Sequence, residues 1–169
     1  MCIRDRSDGG GPGWDLSATG IDVALFDALL ADLSEKYCIN RGRIFSTGHS
    51  FGGFFTNRLG CSRGNVLRAV APVAGARPFG ASSCNAPALA AWIAHGSNDM
   101  TVPFTQGQTS RDLWLTANGC GTATQPATPS PCVAYDGCMR PVHWCVHTQG
   151  HNWPDFAAAG IWAFFQTFQ

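Results

Sequence analysis

Charge is scarce in this sequence. Only 13% of its 169 residues are charged, the formal net charge is zero, and Lys36 is the single lysine. Such a chain cannot assemble the basic surface that draws nucleic acid or an anionic membrane, so neither is expected as a partner. Long hydrophobic runs are missing too, and none reaches the roughly 20 residues needed to cross a bilayer. No Cys-x-x-Cys pair occurs, which removes the commonest zinc pattern. No secretory leader is legible at the N-terminus. No internal repeat or linker divides the chain, and its length suits one domain with a sizeable core.

Cysteine, by contrast, is abundant. Cys2, Cys38, Cys61, Cys84, Cys120, Cys132, Cys138 and Cys145 make eight in all. That density favours disulfides and an oxidising compartment. Cys132 and Cys138 flank a short loop and are candidate partners, while the other pairings stay open. The oxidising reading conflicts with the absent leader, and the first residues account for the conflict. Met1-Cys2-Ile3-Arg4-Asp5-Arg6 resembles the translation of a transposon sequencing adapter. On that reading residues 1–6 are not native, the gene is cut upstream, and Cys2 drops out of the cysteine set.

Apolar periodicity predicts helices alternating with strands. Residues 15–37 read as a helix with Val23, Leu25, Phe26, Leu29, Leu30 and Leu33 on one face and Asp27, Asp32 and Glu35 opposite. Residues 43–47 read as a strand and 50–60 as a helix. Residues 67–73 read as a strand, 77–87 as loop, and 89–95 as a buried strand. Residues 105–118 read as a helix with Leu113, Trp114 and Leu115 inward. Residues 121–131 read as Thr/Pro-rich loop, 133–135 and 142–147 as short strands, and 154–168 as a terminal helix. Apolar strands interleaved with helices imply an α/β fold with a largely parallel sheet.

The most telling segment is Gly48-His49-Ser50-Phe51-Gly52-Gly53, where an apolar run breaks into Gly-x-Ser-x-Gly and a helical pattern follows. A serine on such a strand–turn–helix elbow is pushed clear of the backbone, and the glycines tolerate the tight turn. With 11 serines and 20 glycines in the chain, chance alone supplies about 0.15 such matches. The weight therefore rests on the context and on the partners.

A serine hydroxyl needs a base, and the base needs an acid to orient it. Asp99 follows the strand 89–95 in His95-Gly96-Ser97-Asn98-Asp99, where parallel sheets build their sites. Asp136 is the runner-up acid, and Asp155 suits the dipole of the terminal helix. His151, in the loop before that helix, can reach across the strand ends as the base. His143 and His147 alternate with Cys145 on one strand face and read as structural. A zinc site built from them has no supporting spacing. His49 packs beside the elbow and His95 hydrogen-bonds at a strand end. The Phe51 N–H is one oxyanion donor, and no segment ahead of Ser50 supplies the second. Phe51, Phe104, Trp144 and Trp153 are candidates for an aromatic pocket, with His49 and Trp153 nearest the nucleophile.

Three segments together resemble the secreted polyhydroxybutyrate depolymerase and feruloyl esterase family of α/β-hydrolases. They are the elbow, Ala94-His95-Gly96-Ser97-Asn98-Asp99 with Val102-Pro103, and Gly150-His151-Asn152-Trp153-Pro154. The likeness runs from about residue 14 to residue 168. It implies a secreted carboxylic ester hydrolase that needs no metal or cofactor and acts on feruloylated or acetylated plant polysaccharide or on polyester. It assigns Ser50 as nucleophile, Asp99 as acid and His151 as base. Family members carry further strands, an oxyanion loop and a signal peptide before the elbow. Residues 7–169 are therefore expected to be the C-terminal portion of one catalytic domain: a partial α/β-hydrolase fold, extracellular, monomeric, and impaired on its own. Strand 43–47, central in the family, is expected to become an exposed apolar edge. Two other readings stand beside the esterase: a serine peptidase on the same fold, and a non-catalytic carbohydrate-binding module.

Overall fold

The computed structural model describes residues 13–78 and 88–168. The adapter-like hexapeptide, Cys2, Cys84 and most of the expected 77–87 loop lie outside the described residues. Ten elements follow in the order α1 (Ile21–Lys36), β1 (Phe45–His49), α2 (Phe51–Arg63), β2 (Ala69–Val73), β3 (Ala90–Gly96), α3 (Phe104–Asn118), β4 (Thr124–Pro126), β5 (Cys132–Tyr135), β6 (Val142–His147) and α4 (Ala157–Gln166). They build a six-stranded sheet of order β1-β2-β3-β6-β5-β4. β1, β2, β3 and β6 run parallel, β5 runs antiparallel to β6, and β4 pairs antiparallel with β5 at the far side. The α/β architecture expected from periodicity is the one found.

Helices cover both faces. Val23 and Phe26 of α1, Phe55 and Leu59 of α2, and Leu113 and Trp114 of α3 pack with Val70, Ile93 and Trp144 on one face. Ile161, Phe164 and Phe165 of α4 pack with Ala71, Trp92 and Cys145 on the other. β2 and β3 are buried along their whole lengths, which is why they read as unbroken apolar runs. On β6 the alternation holds: Val142 and Trp144 face α3, while His143 packs on Phe164 and His147 on Phe156 of the α4 side.

Four local expectations are corrected. The first helix begins at Ile21 rather than residue 15, because the Asp15 carboxylate accepts from the backbone N–H groups of Ser17 and Ile21 and holds 15–20 as an entry loop. A three-residue strand, β4, lies within the expected 121–131 loop. It is exposed and pairs with one neighbour, so it has no apolar alternation to betray it. Cys132 does not pair with Cys138: the disulfides are Cys120–Cys138 and Cys132–Cys145. The second joins residues placed directly opposite in the β5–β6 ladder. Trp144 and Phe104 pack against each other and belong to the core rather than to a pocket. Cys61 is also disulfide-bonded, and Cys38 is free and exposed.

β1 ends the sheet and, among the described residues, pairs with β2 alone. A cavity of about 800 Å³ runs along that free edge, bounded by Leu30, Leu33, Phe45, Phe55 and Trp162 and reaching His49 and Trp153. Strand 43–47 is thus an edge among the described residues, but it is half-buried rather than bare, with Phe45 stacked on Phe165.

The face under α2 and α3 is held by a buried polar group of contacts. Trp114 Nε1 donates to Asn57 Oδ1 (2.8 Å), and Asn57 Nδ2 donates to the Ala76 carbonyl (2.9 Å) and to Ser110 Oγ (2.8 Å). Trp114 is fully buried. Trp114→Ala opens a large cavity and strands the Asn57 carbonyl oxygen, so it is expected to cost about 3–5 kcal/mol in urea denaturation.

Candidate active site

The parallel strands β1, β3 and β6 deliver three loops to the same sheet edge, after their C-terminal ends. Ser50 follows β1, Asp99 follows β3 and His151 follows β6. Asp136 follows β5, which runs the other way, so the runner-up acid sits at the opposite edge. Its Oδ2 accepts from Gln125 Nε2 there (3.3 Å).

Ser50 is the junction of β1 and α2 and has φ 55° and ψ −122°. Positive φ in a non-glycine is strained, and here it is held by the surroundings. The Ser50 N–H donates to the Val73 carbonyl (2.9 Å), and the Ser50 carbonyl accepts from the N–H groups of Gly53 (2.8 Å) and Phe54 (3.1 Å). The glycines are spatial requirements. A Cβ at Gly48 would run into the Gly52 carbonyl, and one at Gly53 would press on the backbone of Val73 and Gly75. Gly48→Ala is therefore expected to displace the start of α2. Loss of about 1–3 kcal/mol in a urea titration would register the overpacking.

Phe51 is the first residue of α2, so its N–H has no acceptor within the helix and points out with the positive end of the helix dipole. That is the environment an oxyanion needs.

Asp99 and His151 are joined directly. His151 Nδ1 lies 2.7 Å from Asp99 Oδ2, and the Asp99 side chain is fully buried. The other carboxylate oxygen accepts from the N–H groups of Thr101 (2.9 Å) and Val102 (2.8 Å). Burial raises the Asp99 pKa, but the hydrogen bonds from His151, Val102 and Thr101 outweigh it and hold the group below its ordinary value. Asp99 is thus ionised at neutral pH and accepts only, so His151 Nδ1 carries a proton. Nδ1–H donates to Asp99, and the lone pair of that neutral tautomer is therefore on Nε2.

The loops bearing Asp99 and His151 are laced together. Ser97 N–H donates to the His147 carbonyl (2.7 Å), and Asn98 Nδ2 donates to the Thr148 carbonyl (2.7 Å). Gly96 permits this approach, since a Cβ there would meet the carbonyls of Gln149 and Gly150.

His49, the residue before Ser50, is the part of the elbow that meets this pair. The His49 ring lies 4.7 Å from the His151 ring and 6.4 Å from Trp153, which it meets edge-on. The Ser50 hydroxyl has no hydrogen-bond partner among the described residues. Burial lowers the His49 pKa, and the neighbouring His151 adds to this against the pull of Asp99. Phe51 and Trp153 are exposed beside the elbow, at 38% and 40%. No group of His, Cys, Asp and Glu that could hold a metal ion is found among the described residues. Sequence reading gave His95 a hydrogen-bonding role only. It stands within 3.4 Å of Asp99, and the strand-end position was the sole signal for it.

No family model matches the chain. Feruloyl esterase D of Neurospora crassa is 36% identical over 176 residues, covering 95% of this chain and 60% of the relative. Feruloyl esterase C of Emericella nidulans is 32% identical over 145 residues, covering 83% of this chain and 53% of the relative. The chain thus spans between half and two thirds of the length of these curated relatives. Among solved structures, the acetyl xylan esterase from Aspergillus awamori superposes with a TM-score of 0.73 at 16% identity, over 94% of this chain and 74% of that one. At that identity the likeness concerns the fold.

Proposed function

The chain belongs to the feruloyl esterase family of α/β-hydrolases, and on that premise we propose that it supplies the nucleophile, acid and base of a secreted serine ester hydrolase. The substrates are feruloyl or acetyl esters on plant polysaccharide. The observation that carries this is the 2.7 Å Asp99–His151 contact at the sheet edge where the strained Ser50 elbow also lies.

In this reading Ser50 Oγ attacks the ester carbonyl while His151 Nε2 takes its proton. Asp99 fixes the tautomer and stabilises the imidazolium. The oxyanion forms against the Phe51 N–H and the start of α2. Collapse breaks the C–O bond to the polysaccharide, whose departing oxygen takes the proton from His151 and leaves as a hydroxyl, with Ser50 acylated. Water, activated by the same imidazole, then releases the acid and frees Ser50. Trp153 and Phe51, exposed on either side of the nucleophile, offer apolar surface to an aromatic acyl group.

Secretion is supported by the Cys120–Cys138 and Cys132–Cys145 disulfides. Among the described residues no helix is long and apolar enough to cross a membrane. The share of the relatives covered, and the edge of β1 that is unpaired among the described residues, support reading residues 7–169 as the C-terminal portion of the catalytic domain.

The test uses the protein encoded by the complete gene. A fluorophosphonate probe is expected to label Ser50, with methyl ferulate or acetylated xylan hydrolysed and a chromogenic peptide panel left intact. Labelling elsewhere, peptide cleavage without ester cleavage, or polysaccharide binding with no labelling would overturn the reading.

A further inference from the structure

We propose that His95 is a positioning residue that clamps the acid-bearing turn, so that Asp99 presents one oxygen to His151. The kinetic part of this rests on the esterase reading above, while the structural part does not.

His95 lies at the end of β3 and is completely buried. Its Nε2 is 2.9 Å from the Val102 carbonyl, which can only accept, so Nε2 bears the proton. The same nitrogen is 3.4 Å from Asp99 Oδ2, the oxygen that holds His151. Nδ1 is buried and has no hydrogen-bond partner.

The contacts form a continuous chain. His95 holds Val102 by its carbonyl, and Val102 holds Asp99 Oδ1 by its N–H. Asp99 Oδ2 then holds His151 Nδ1. The turn 99–102 is thereby fixed at both ends: to β3 through the backbone, and to the buried ring through Val102. The ring's space is kept by α3. A Cβ at Gly107 would collide with it, and Phe104 meets it edge-on at 6.2 Å. A buried imidazole used only as filler does not need its proton on Nε2, whereas a donor aimed at the turn that carries Asp99 does.

The experiment compares His95→Phe, which keeps the volume and removes the donor, with His95→Gln, whose amide N–H₂ extends to about the place of Nε2. For ester hydrolysis His95→Phe is expected to lower kcat by about 100-fold and leave KM within about twofold, since a misplaced acid misorients the base without touching substrate binding. His95→Gln is expected to stay within about fivefold of the unaltered protein. The low-field proton NMR signal of the His151 Nδ1–H is expected in the unaltered protein and in His95→Gln, and displaced or lost in His95→Phe. Unchanged kcat and an unmoved signal in a folded His95→Phe would overturn the proposal, as would failure of Gln to restore them. Should His95→Phe not fold, the nitrogen-15 NMR shifts of the His95 ring in the unaltered protein decide. A proton on Nε2 with Nδ1 bare supports the clamp, and the opposite tautomer refutes it. Hydrolysis that survives Ser50→Ala would sink the esterase reading alone, because the NMR readings would still judge the clamp.

Discussion

Ser50→Ala is expected to lower kcat for feruloyl ester hydrolysis by about 10⁴-fold or more while leaving KM within about threefold. Removing the nucleophile deletes the covalent route, whereas oxyanion stabilisation and substrate binding by the remaining site persist. The fold is expected to tolerate the change. Ser50 is held by its backbone, through the Val73 carbonyl and the N–H groups of Gly53 and Phe54, rather than by its side chain, which caps nothing in α2. Alanine accepts the φ of 55° no worse than serine does. Stability should therefore stay within about 0.5 kcal/mol of the unaltered protein, and the loss of rate can be read as chemistry. A steady-state titration of methyl ferulate with both proteins, alongside thermal melts, measures the two quantities. Retained hydrolysis would assign the nucleophile elsewhere, and a fallen melting temperature would show the hydroxyl to be structural.

The loops of the candidate site are more legible in the sequence than the framework around them. Ser50, Asp99 and His151 each sit in a short local pattern at a strand end, and parallel strands carry such ends to one edge. Local pattern and topology agree there. Where the outcome depended on strand direction, sequence had less to say. Asp136, the runner-up acid, is carried to the opposite edge because β5 runs antiparallel to β6, a direction that local pattern does not show. The disulfides show the same limit. Cys132 and Cys138 are near in sequence, but a strand register sets Cys132 opposite Cys145, and the return of the chain sets Cys138 against Cys120. Trp144 could not be told from a pocket residue by composition. Its side of β6 is fixed by α3, a contact far away in sequence.

Acidification is expected to destabilise the protein from about pH 6.5 downward, earlier than carboxylate chemistry alone would do. His49, His95, His143 and His147 all have pKa values lowered, with burial the first cause in each. Repulsion from His151 adds to this at His49 and His95, repulsion from His95 adds at His49 and His147, and Asp99 opposes it at all three. Both ring nitrogens of His147 and Nδ1 of His143 are buried without hydrogen-bond partners, so a proton there would have no acceptor to face. Above pH 6.5 folded and unfolded chains hold these rings alike in the neutral form, and they add no pH dependence. As the pH falls below 6.5 the unfolded chain takes up protons that the folded chain refuses. Each such proton removes about 1.4 kcal/mol of stability per pH unit until the folded-state pKa is reached. Asp99 acts in a lower window. Its folded pKa is depressed, so its contribution is complete above about pH 4 and is lost as the pH falls further. Urea titrations at pH 7.5, 6.5, 5.5 and 4.5 should therefore show a flat upper step, then a decline that steepens as more histidines are engaged. His143→Phe and His147→Phe, which keep an aromatic ring against Phe164 and Phe156, should each make that decline shallower. A midpoint that holds steady from pH 7.5 to 4.5 would mean that the buried rings find partners for their protons, and the linkage argument would fall.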